Sequence, residues 1–452
     1  MMNYNQVIMR SIVRQSINTA LNQQFPRKCT AFLLALILLV SILPAPSLAD
    51  DSAALTAPQL VSEAAVLMDA QTGQILYEKN MHTQLYPASI TKILTILLGL
   101  ERGRLQDKVI MSHQAVFGIL RGSSHIALTE AEEITLEQAL MAAMLPSAND
   151  ASNGIAEHIS GSVEDFAMLM NQRAREAGAL NSNFVNPHGL PDERHVTTAY
   201  DMAMITREAL QNDNFREILG TVRYTIPPTN KQPEPRDLWS EHRMLTTNRF
   251  YYEGVIGGKT GYTAVSQNTL VTAAKRGERE LIAVVMKSPA YGVYTDTIAL
   301  FDYGFNQFTA ASFSPAQMVS PSRGNKDNKL IADILNQNRD ASFTRLLHNS
   351  ISPADVAVDC RLLEAGSGQQ PDLLLDVRLK TASSLQYADL GTVRLYNFAP
   401  PGSDNPRWAI ILATAVKILA YTVVGMIVFL YTLRFIIRTR RNLRRKRIRP
   451  QP

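Results

Sequence analysis

Hydrophobic and polar positions follow two different patterns along the middle of the chain. Residues 63–80 (EAAVLMDAQTGQILYEKN) have two apolar runs on either side of a turn at Gln71, Thr72 and Gly73, which predicts a β-hairpin. Residues 268–275 and 279–286 form a second pair of apolar runs around a short polar turn, and they predict two more strands.

Between these hairpins, apolar residues recur at helical spacing. Residues 135–145 and 162–178 are the clearest examples, and helical patterns extend from about residue 86 to about residue 220. Strands at both ends with helices between them favour an α+β domain in which strands distant in sequence share one sheet. We place this domain at residues 50–308.

The pattern changes after residue 308. Residues 320–329 (SPSRGNKDNK) have the composition of a linker. Residues 355–365, 372–380 and 391–398 then alternate between apolar and polar positions, as strands with one buried face do. We therefore expect a linker and a small β-rich domain at residues 309–403.

Residues 1–49 have the pattern of a signal peptide. Basic residues precede thirteen apolar or small residues from Ala31 to Leu43, and small residues at Ser47 and Ala49 suit cleavage after Ala49. The alternative is an ordinary buried helix.

Residues 408–433 form a second apolar segment of 26 residues with Lys417 as its only charge. Its length and Trp408 at one end suit a transmembrane helix, and the nine basic residues at positions 434–452 predict a cytoplasmic tail. The alternative is an amphipathic helix on the membrane surface. We therefore predict a protein of the cytoplasmic membrane with one C-terminal transmembrane helix and with the domain at residues 50–308 on the extracytoplasmic side.

The charge distribution argues against nucleic-acid binding. The net charge is +5, but residues 1–49 and 434–452 together hold 13 of the 45 basic residues and none of the 40 acidic ones. The remaining 32 basic and 40 acidic residues make the middle of the chain negative by 8 charges. Cys360 is alone in the exported part because Cys29 lies within the signal, so that part has no intrachain disulfide.

Candidate chemistry begins in the segment YPASITK, residues 86–92, where Ser89 and Lys92 are three positions apart among apolar residues. On a helix the two side chains share a face. An apolar environment lowers the pKa of a lysine, and the neutral amine then activates a neighbouring serine as a nucleophile. The alternative is a lysine whose side chain extends out of a core helix to solvent.

Two further motifs favour the catalytic interpretation. Ser147 and Asn149 follow an apolar helix in the sequence LPSAND, and a hydroxyl and an amide at this spacing can face one cleft. Lys259, Thr260 and Gly261 occur as a Lys-Thr-Gly triplet only once, and lysine with threonine suits an anionic group such as a carboxylate. The glycine lets a substrate backbone approach closely.

These three motifs in this order resemble those of the D-alanyl-D-alanine carboxypeptidases, which are low-molecular-mass penicillin-binding proteins. The resemblance extends over about residues 60–308, in the segments YPASITK (86–92), NFVNPHGL (183–190), GGKTGYT (257–263), KRGERELIAVVM (275–286) and FDYGF (301–305). It implies a β-lactamase/transpeptidase-like domain, an antiparallel sheet with a helical subdomain. The region after residue 308 resembles the family's C-terminal β-domain only around residues 387–396, and the polar sequence AVSQNTL (264–270) departs from the family pattern.

The resemblance also implies a serine acyl-transfer reaction on peptidoglycan stem peptides, with β-lactam antibiotics as covalent inhibitors. Ser89 would attack the carbonyl of the penultimate D-alanine, Lys92 would take its proton, and Ser147 would relay a proton to the leaving D-alanine. Asn149 would bind the amide backbone of the substrate. No metal or cofactor is implied.

On the same basis, Lys259 and Thr260 would hold the terminal carboxylate of the substrate. Gly261 would allow the close approach of the substrate backbone. The backbone N–H groups of Ser89 and Tyr262 would form the oxyanion hole.

Three alternatives remain open. A DD-endopeptidase would use the same residues. A β-lactamase would need a Glu-x-x-Leu-Asn loop, and the closest segment, EAGALN (176–181), is one residue too long. An inactive wall-binding or sensor protein would be expected to have a broken motif, and all three motifs are intact.

His188 is expected to be structural, and His125, His158 and His195 have no metal-ligand spacing. Tyr251 and Tyr252 are expected to pack in the core rather than on substrate.

Overall fold

A computed structural model describes residues 57–245, 249–319, 328–363, 371–380 and 389–396. The predicted signal peptide, transmembrane helix and basic tail lie outside these residues. Within them, no helix combines the length and the apolar character needed to cross a membrane.

The described elements are as follows in chain order. The first half contains β1 (Ala64–Asp69), β2 (Ile75–Lys79), α1 (Lys92–Arg102), β3 (Lys108–Ile110), α2 (His113–Phe117), β4 (Glu133–Thr135), α3 (Leu136–Met144), α4 (Asn149–Ser160), α5 (Val163–Glu176), α6 (Ala199–Ala209) and α7 (Asp213–Gly220). The second half contains β5 (Arg223–Ile226), β6 (Arg236–Trp239), β7 (Val255–Thr263), β8 (Gln267–Arg276), β9 (Arg279–Ser288), α8 (Gly292–Gln307), β10 (Phe308–Phe313), α9 (Pro315–Met318), α10 (Asn328–Gln337), β11 (Phe343–His348), β12 (Val356–Leu362), β13 (Leu373–Leu379) and β14 (Asp389–Leu395).

Five strands form one antiparallel sheet in the order β2-β1-β9-β8-β7. Both predicted hairpins are present, and β1 pairs with β9, more than 200 positions later in the chain. The prediction that distant strands share one sheet is therefore confirmed.

The sheet is covered on both faces, which explains the long buried runs in its inner strands β1, β8 and β9. Alternate residues of a strand face opposite sides. Val66 and Met68 of β1 pack in the core shared with the helices, whereas Ala65 and Leu67 pack in the core on the side of α8. Every residue of β1 is buried as a result.

The helical region between the hairpins packs around α1. The first eight residues of α1 are all buried, and α1 contacts α3, α4 and α6. Helix α3 begins with a capping box, in which Thr135 accepts from the backbone of Gln138 and Gln138 accepts from that of Thr135. Caps of this kind satisfy backbone N–H groups that have no partner within the helix, and they fix where α3 begins and hence where its far end meets the loop before α4.

After β11 the chain forms the antiparallel sheet β12-β13-β14, at the three positions where alternation predicted strands. The sequence did not predict helix α10, which begins within the expected linker, or strand β11, which pairs with β10. Gln74, in the turn between β1 and β2, contacts β11: its side chain donates to the carbonyl of Leu346 at 2.7 Å and accepts from the same residue's N–H at 2.9 Å.

Candidate active site

The first wall of the cleft is the start of α1. A 3₁₀ turn, Ala88–Thr91, leads directly into the helix and carries Ser89. Lys92 is completely buried, and its Nζ donates to Ser89 Oγ at 3.2 Å, to Asn149 Oδ1 at 2.7 Å and to the carbonyl of His188 at 2.9 Å. The predicted contact between the serine and the lysine is therefore present, together with two further acceptors.

Burial lowers the pKa of Lys92 well below its usual value, and the positive charge of Lys259 lowers it further. The negative charges of Glu241 and Asp150 act in the opposite direction. The net result favours the neutral amine, which is the form that can accept the proton of Ser89.

The loop before α4 supplies the second motif. Ser147 is 2% exposed and has a left-handed backbone with φ of +63°, which is uncommon for a residue other than glycine. Among the described residues its Oγ has no hydrogen-bond partner, although it lines the same cavity as Ser89. A buried hydroxyl without a partner in the folded protein is available to a ligand.

Buried polar groups fix this loop in place. The N–H of Asn149 donates to the carbonyl of Ser124 at 2.8 Å. The carboxylate of Asp150 accepts from the N–H groups of Leu128 at 3.0 Å and Ile126 at 3.3 Å. The segment opposite the loop, at residues 124–128, is thus attached to the start of α4.

Strand β7 forms the other wall and carries the Lys-Thr-Gly motif. Lys259 is 1% exposed, and its Nζ donates to the carbonyl of Thr260 at 3.1 Å. Burial lowers the pKa of Lys259 to about 8, and the nearby charge of Glu241 partly opposes that shift. Lys259 is therefore mostly protonated at neutral pH.

Gly261 brings the two walls together. A Cβ added to this residue would lie 2.8 Å from the backbone nitrogen of Ser89 and still closer to Thr269 Oγ1. Only a residue without a side chain lets β7 lie this close to the turn that carries Ser89. The next residue, Tyr262, is 68% exposed at the edge of the cleft.

The cavity between the walls has a volume of about 860 Å³. Its lining includes Ser89, Ser147, Thr260, Gly261 and Tyr262. All eight predicted site residues therefore belong to one region. The three that do not line the cavity each contact a residue that does: Lys92 contacts Ser89, Asn149 contacts Ser124, and Lys259 contacts Thr260.

The sequence did not predict three charged or aromatic residues of the same cavity, Glu241, Arg243 and Tyr291. The guanidinium of Arg243 lies 5.0 Å from the centre of the Tyr291 ring. No motif marks these residues, because they lie on connecting segments before β7 and before α8.

The histidines and tyrosines differ in how far they follow expectation. His188 contributes its backbone carbonyl, while burial lowers the pKa of its ring well below the usual value and keeps it neutral. Tyr252 packs in the core, where its hydroxyl donates to Asp302 at 2.9 Å, but Tyr251 is 54% exposed, so the expectation of core packing is wrong for that residue. Within the described part of the chain, no group of His, Cys, Asp or Glu side chains is arranged to hold a metal ion.

Comparisons with known proteins agree with this geometry. The family model for D-alanyl-D-alanine carboxypeptidase, peptidase S11, matches residues 51–290. The chain is 38% identical to the carboxypeptidase DacF of Bacillus subtilis over 55% of its own length and 63% of that protein, and 31% identical to DacA of Haemophilus influenzae over 56% and 64%. It thus spans less than two thirds of the length of these relatives.

Solved structures give the same result for the fold. A Streptomyces DD-transpeptidase superposes with a TM-score of 0.52 at 28% identity, covering 56% of this chain and 99% of that one. A D-alanyl-D-alanine carboxypeptidase from Mycobacterium tuberculosis superposes with a TM-score of 0.50 at 27% identity, covering 56% and 93%. The transpeptidase-like α+β domain predicted from sequence is confirmed.

Proposed function

Because the chain belongs to the peptidase S11 family of D-alanyl-D-alanine carboxypeptidases, we propose that it is a serine carboxypeptidase that removes the terminal D-alanine from peptidoglycan stem peptides. The observation that carries this proposal is the 3.2 Å contact between Lys92 Nζ and Ser89 Oγ inside a buried network. It places a base of lowered pKa beside a hydroxyl at the edge of the cavity.

In the proposed reaction, Ser89 Oγ attacks the carbonyl carbon of the penultimate D-alanine while Lys92 accepts the hydroxyl proton. The negative charge that develops on the carbonyl oxygen is stabilised by the N–H groups of Ser89 and Tyr262. The C–N bond then breaks, and Ser147 relays a proton to the leaving amine. Water hydrolyses the resulting ester and restores the free serine.

The other wall binds the substrate. Lys259 and Thr260 hold the terminal carboxylate, since a protonated lysine and a hydroxyl form charge-assisted hydrogen bonds with it. Asn149 has two roles in this proposal: its Oδ1 accepts from Lys92, which leaves its amide nitrogen to bind the substrate backbone. β-Lactam antibiotics acylate the same serine.

The experiment is to incubate the full-length protein in detergent with a pentapeptide ending in D-Ala-D-Ala and to measure released D-alanine. In parallel, labelled penicillin is added, and the modified peptide is identified by mass spectrometry after digestion. The proposal expects D-alanine release and a long-lived adduct within residues 86–92. An adduct on another peptide contradicts the mechanism, and loss of the label within about a second favours a β-lactamase.

We also propose that the enzyme acts outside the cytoplasmic membrane, anchored by residues 408–433. Carbonate extraction of membranes should leave the full-length protein in the pellet, and deletion of residues 408–452 should release it. A protein that carbonate removes would instead be bound at the membrane surface. External protease on spheroplasts should spare a tag placed after Pro452, and digestion of that tag would contradict the orientation.

A further inference from the structure

A carboxylate lies beside the residue proposed to bind the carboxylate of the substrate. Glu241 lines the cavity, and its Oε2 accepts a hydrogen bond from Thr260 Oγ1 at 3.4 Å. Under the proposed function, that hydroxyl also donates to the terminal carboxylate of the peptide. Two negative groups therefore compete for one donor.

The backbone holds Glu241 at this position. Its N–H donates to the carbonyl of Leu145 at 3.3 Å, two residues before Ser147. The next residue, His242, is buried, and its Nε2 lies 2.9 Å from Thr272 Oγ1 on β8. These contacts hold the backbone around Glu241 between the loop before α4 and strand β8.

The charges around Glu241 determine whether it strengthens or weakens the binding of a substrate carboxylate. Its charge acts on both buried lysines, Lys92 and Lys259, and Arg243 contributes a positive charge to the same cavity. A substrate carboxylate bound to Thr260 would lie within a few ångströms of Glu241, where like charges repel even in a solvated site. An uncharged group at that place meets no such repulsion.

We propose that Glu241 is a specificity-determining residue that reduces the advantage of a free terminal carboxylate. The site then discriminates less strongly between peptides with and without a carboxylate on the residue after the scissile bond. This inference rests on the proposed function and adds to it a determinant of the charge that the substrate carries at that position.

The test compares two substrates that differ by one charge, a peptide ending in D-Ala-D-Ala and its C-terminal carboxamide. The full-length protein and its Glu241→Gln variant are assayed in detergent at pH 6, where Lys259, with a pKa of about 8, stays protonated. Released D-alanine or D-alaninamide is quantified by mass spectrometry. Glu278→Gln is the matched control, because Glu278 is an exposed glutamate in the turn between β8 and β9, at the opposite end of the sheet from the cleft.

Glu241→Gln should raise kcat/KM for the free acid by roughly threefold to tenfold through a lower KM, as expected for removing one like charge at a few ångströms. The kcat/KM for the carboxamide should not change. The Glu278→Gln control should leave the ratio of kcat/KM for the free acid to kcat/KM for the carboxamide as in the wild type. Glu241→Ala should shift the ratio in the same direction, which excludes an effect of the introduced amide.

If the ratio of kcat/KM for the free acid to kcat/KM for the carboxamide is unchanged in both Glu241 variants, the inference is overturned. That result would mean that Arg243 already neutralises the carboxylate of Glu241. A lower ratio would also overturn the inference and would assign Glu241 the role of keeping Lys259 protonated. If the wild type released neither product, the proposed function would fail and this inference with it. Those outcomes are distinct, because the first two require an active wild-type enzyme.

Discussion

The two walls of the cleft each bury a lysine, and the partners of the two amines differ. Lys92, on the helical wall, donates to three oxygen atoms, from Ser89, Asn149 and His188. Lys259, on the strand wall, donates to the carbonyl of Thr260 and lies near the carboxylate of Glu241. Burial lowers the pKa of both lysines. The positive charge of Lys259 lowers the pKa of Lys92 further. Under the proposed function, one residue type thus supplies the base on one wall and the anion-binding cation on the other.

The largest effect should come from removing the base. Lys92→Met retains much of the side-chain volume but has no proton acceptor, so acylation by penicillin and D-alanine release should fall more than about 10³-fold. The variant should also unfold more easily, since Asn149 Oδ1 and the His188 carbonyl lose a buried donor at a cost of about 1–3 kcal/mol.

Adduct formation followed by mass spectrometry and thermal unfolding followed by circular dichroism measure the two effects of Lys92→Met separately. Lys275→Met, at an exposed position near the end of β8, is the control and should behave as the wild type. A folded Lys92→Met variant that is acylated at the normal rate would remove the distinction between the two lysines.

The second effect tests the helical wall without disturbing its network. Ser147→Ala removes a hydroxyl that has no partner in the described part of the chain, so the melting temperature should stay within about a degree while D-alanine release falls roughly 10²-fold. Ser147→Gly should lose the same activity yet raise the melting temperature, because glycine tolerates the φ of +63°. Unchanged release in the alanine variant would remove Ser147 from the reaction.

The main sheet could be predicted because apolar runs flank a short polar turn at two places in the chain. The runs around Gln71, Thr72 and Gly73 predicted β1 and β2, and the structure also buries both faces of β1. The eight candidate site residues come together as expected, although no spacing along the chain gives the distance between Ser89 and Thr260. The expectation that Ser89 and Thr260 lie close together rested on the family resemblance and not on their spacing in the sequence.

Some features of the site could not be predicted, because no residue type or motif in the sequence indicates them. The carbonyl of His188 accepts from Lys92, and any residue can supply a carbonyl. Gly189 has φ of +86° and lies against the carbonyl of Ala88, a close contact that only the folded chain reveals. Glu241 and Arg243 lie between strands, where charged residues are usual on a surface, so nothing in the sequence indicated that they line the cleft.

A smaller effect should follow from separating the walls. In Gly261→Ala the added Cβ must move away from Ser89 N and Thr269 Oγ1, which shifts β7 by a fraction of an ångström. Misplacement on this scale should reduce acylation roughly tenfold or more. Gly277→Ala is the control: its turn has open space around it but a φ of +61°, so it should lower the melting temperature and leave acylation unchanged. Equal acylation by the two variants would mean that the walls need not touch.

The smallest effect should be a pH dependence that belongs to the strand wall alone. The pKa of Lys259 is lowered to about 8, and the protonated form is the one that attracts a carboxylate, so this attraction is present below pH 8 and is lost as the pH rises above it. Burial lowers the pKa of Lys92 well below its usual value, and the positive charge of Lys259 lowers it further. Between pH 7 and pH 9, KM for a peptide ending in D-Ala-D-Ala should therefore rise by roughly threefold to tenfold, while KM for its C-terminal carboxamide stays level.

In Lys259→Ala, KM for both substrates should be independent of pH over this range, with the free acid bound as weakly as in the wild type at high pH. If KM depends on pH in the same way for the free acid and the carboxamide in the wild type, Lys259 does not bind the substrate carboxylate.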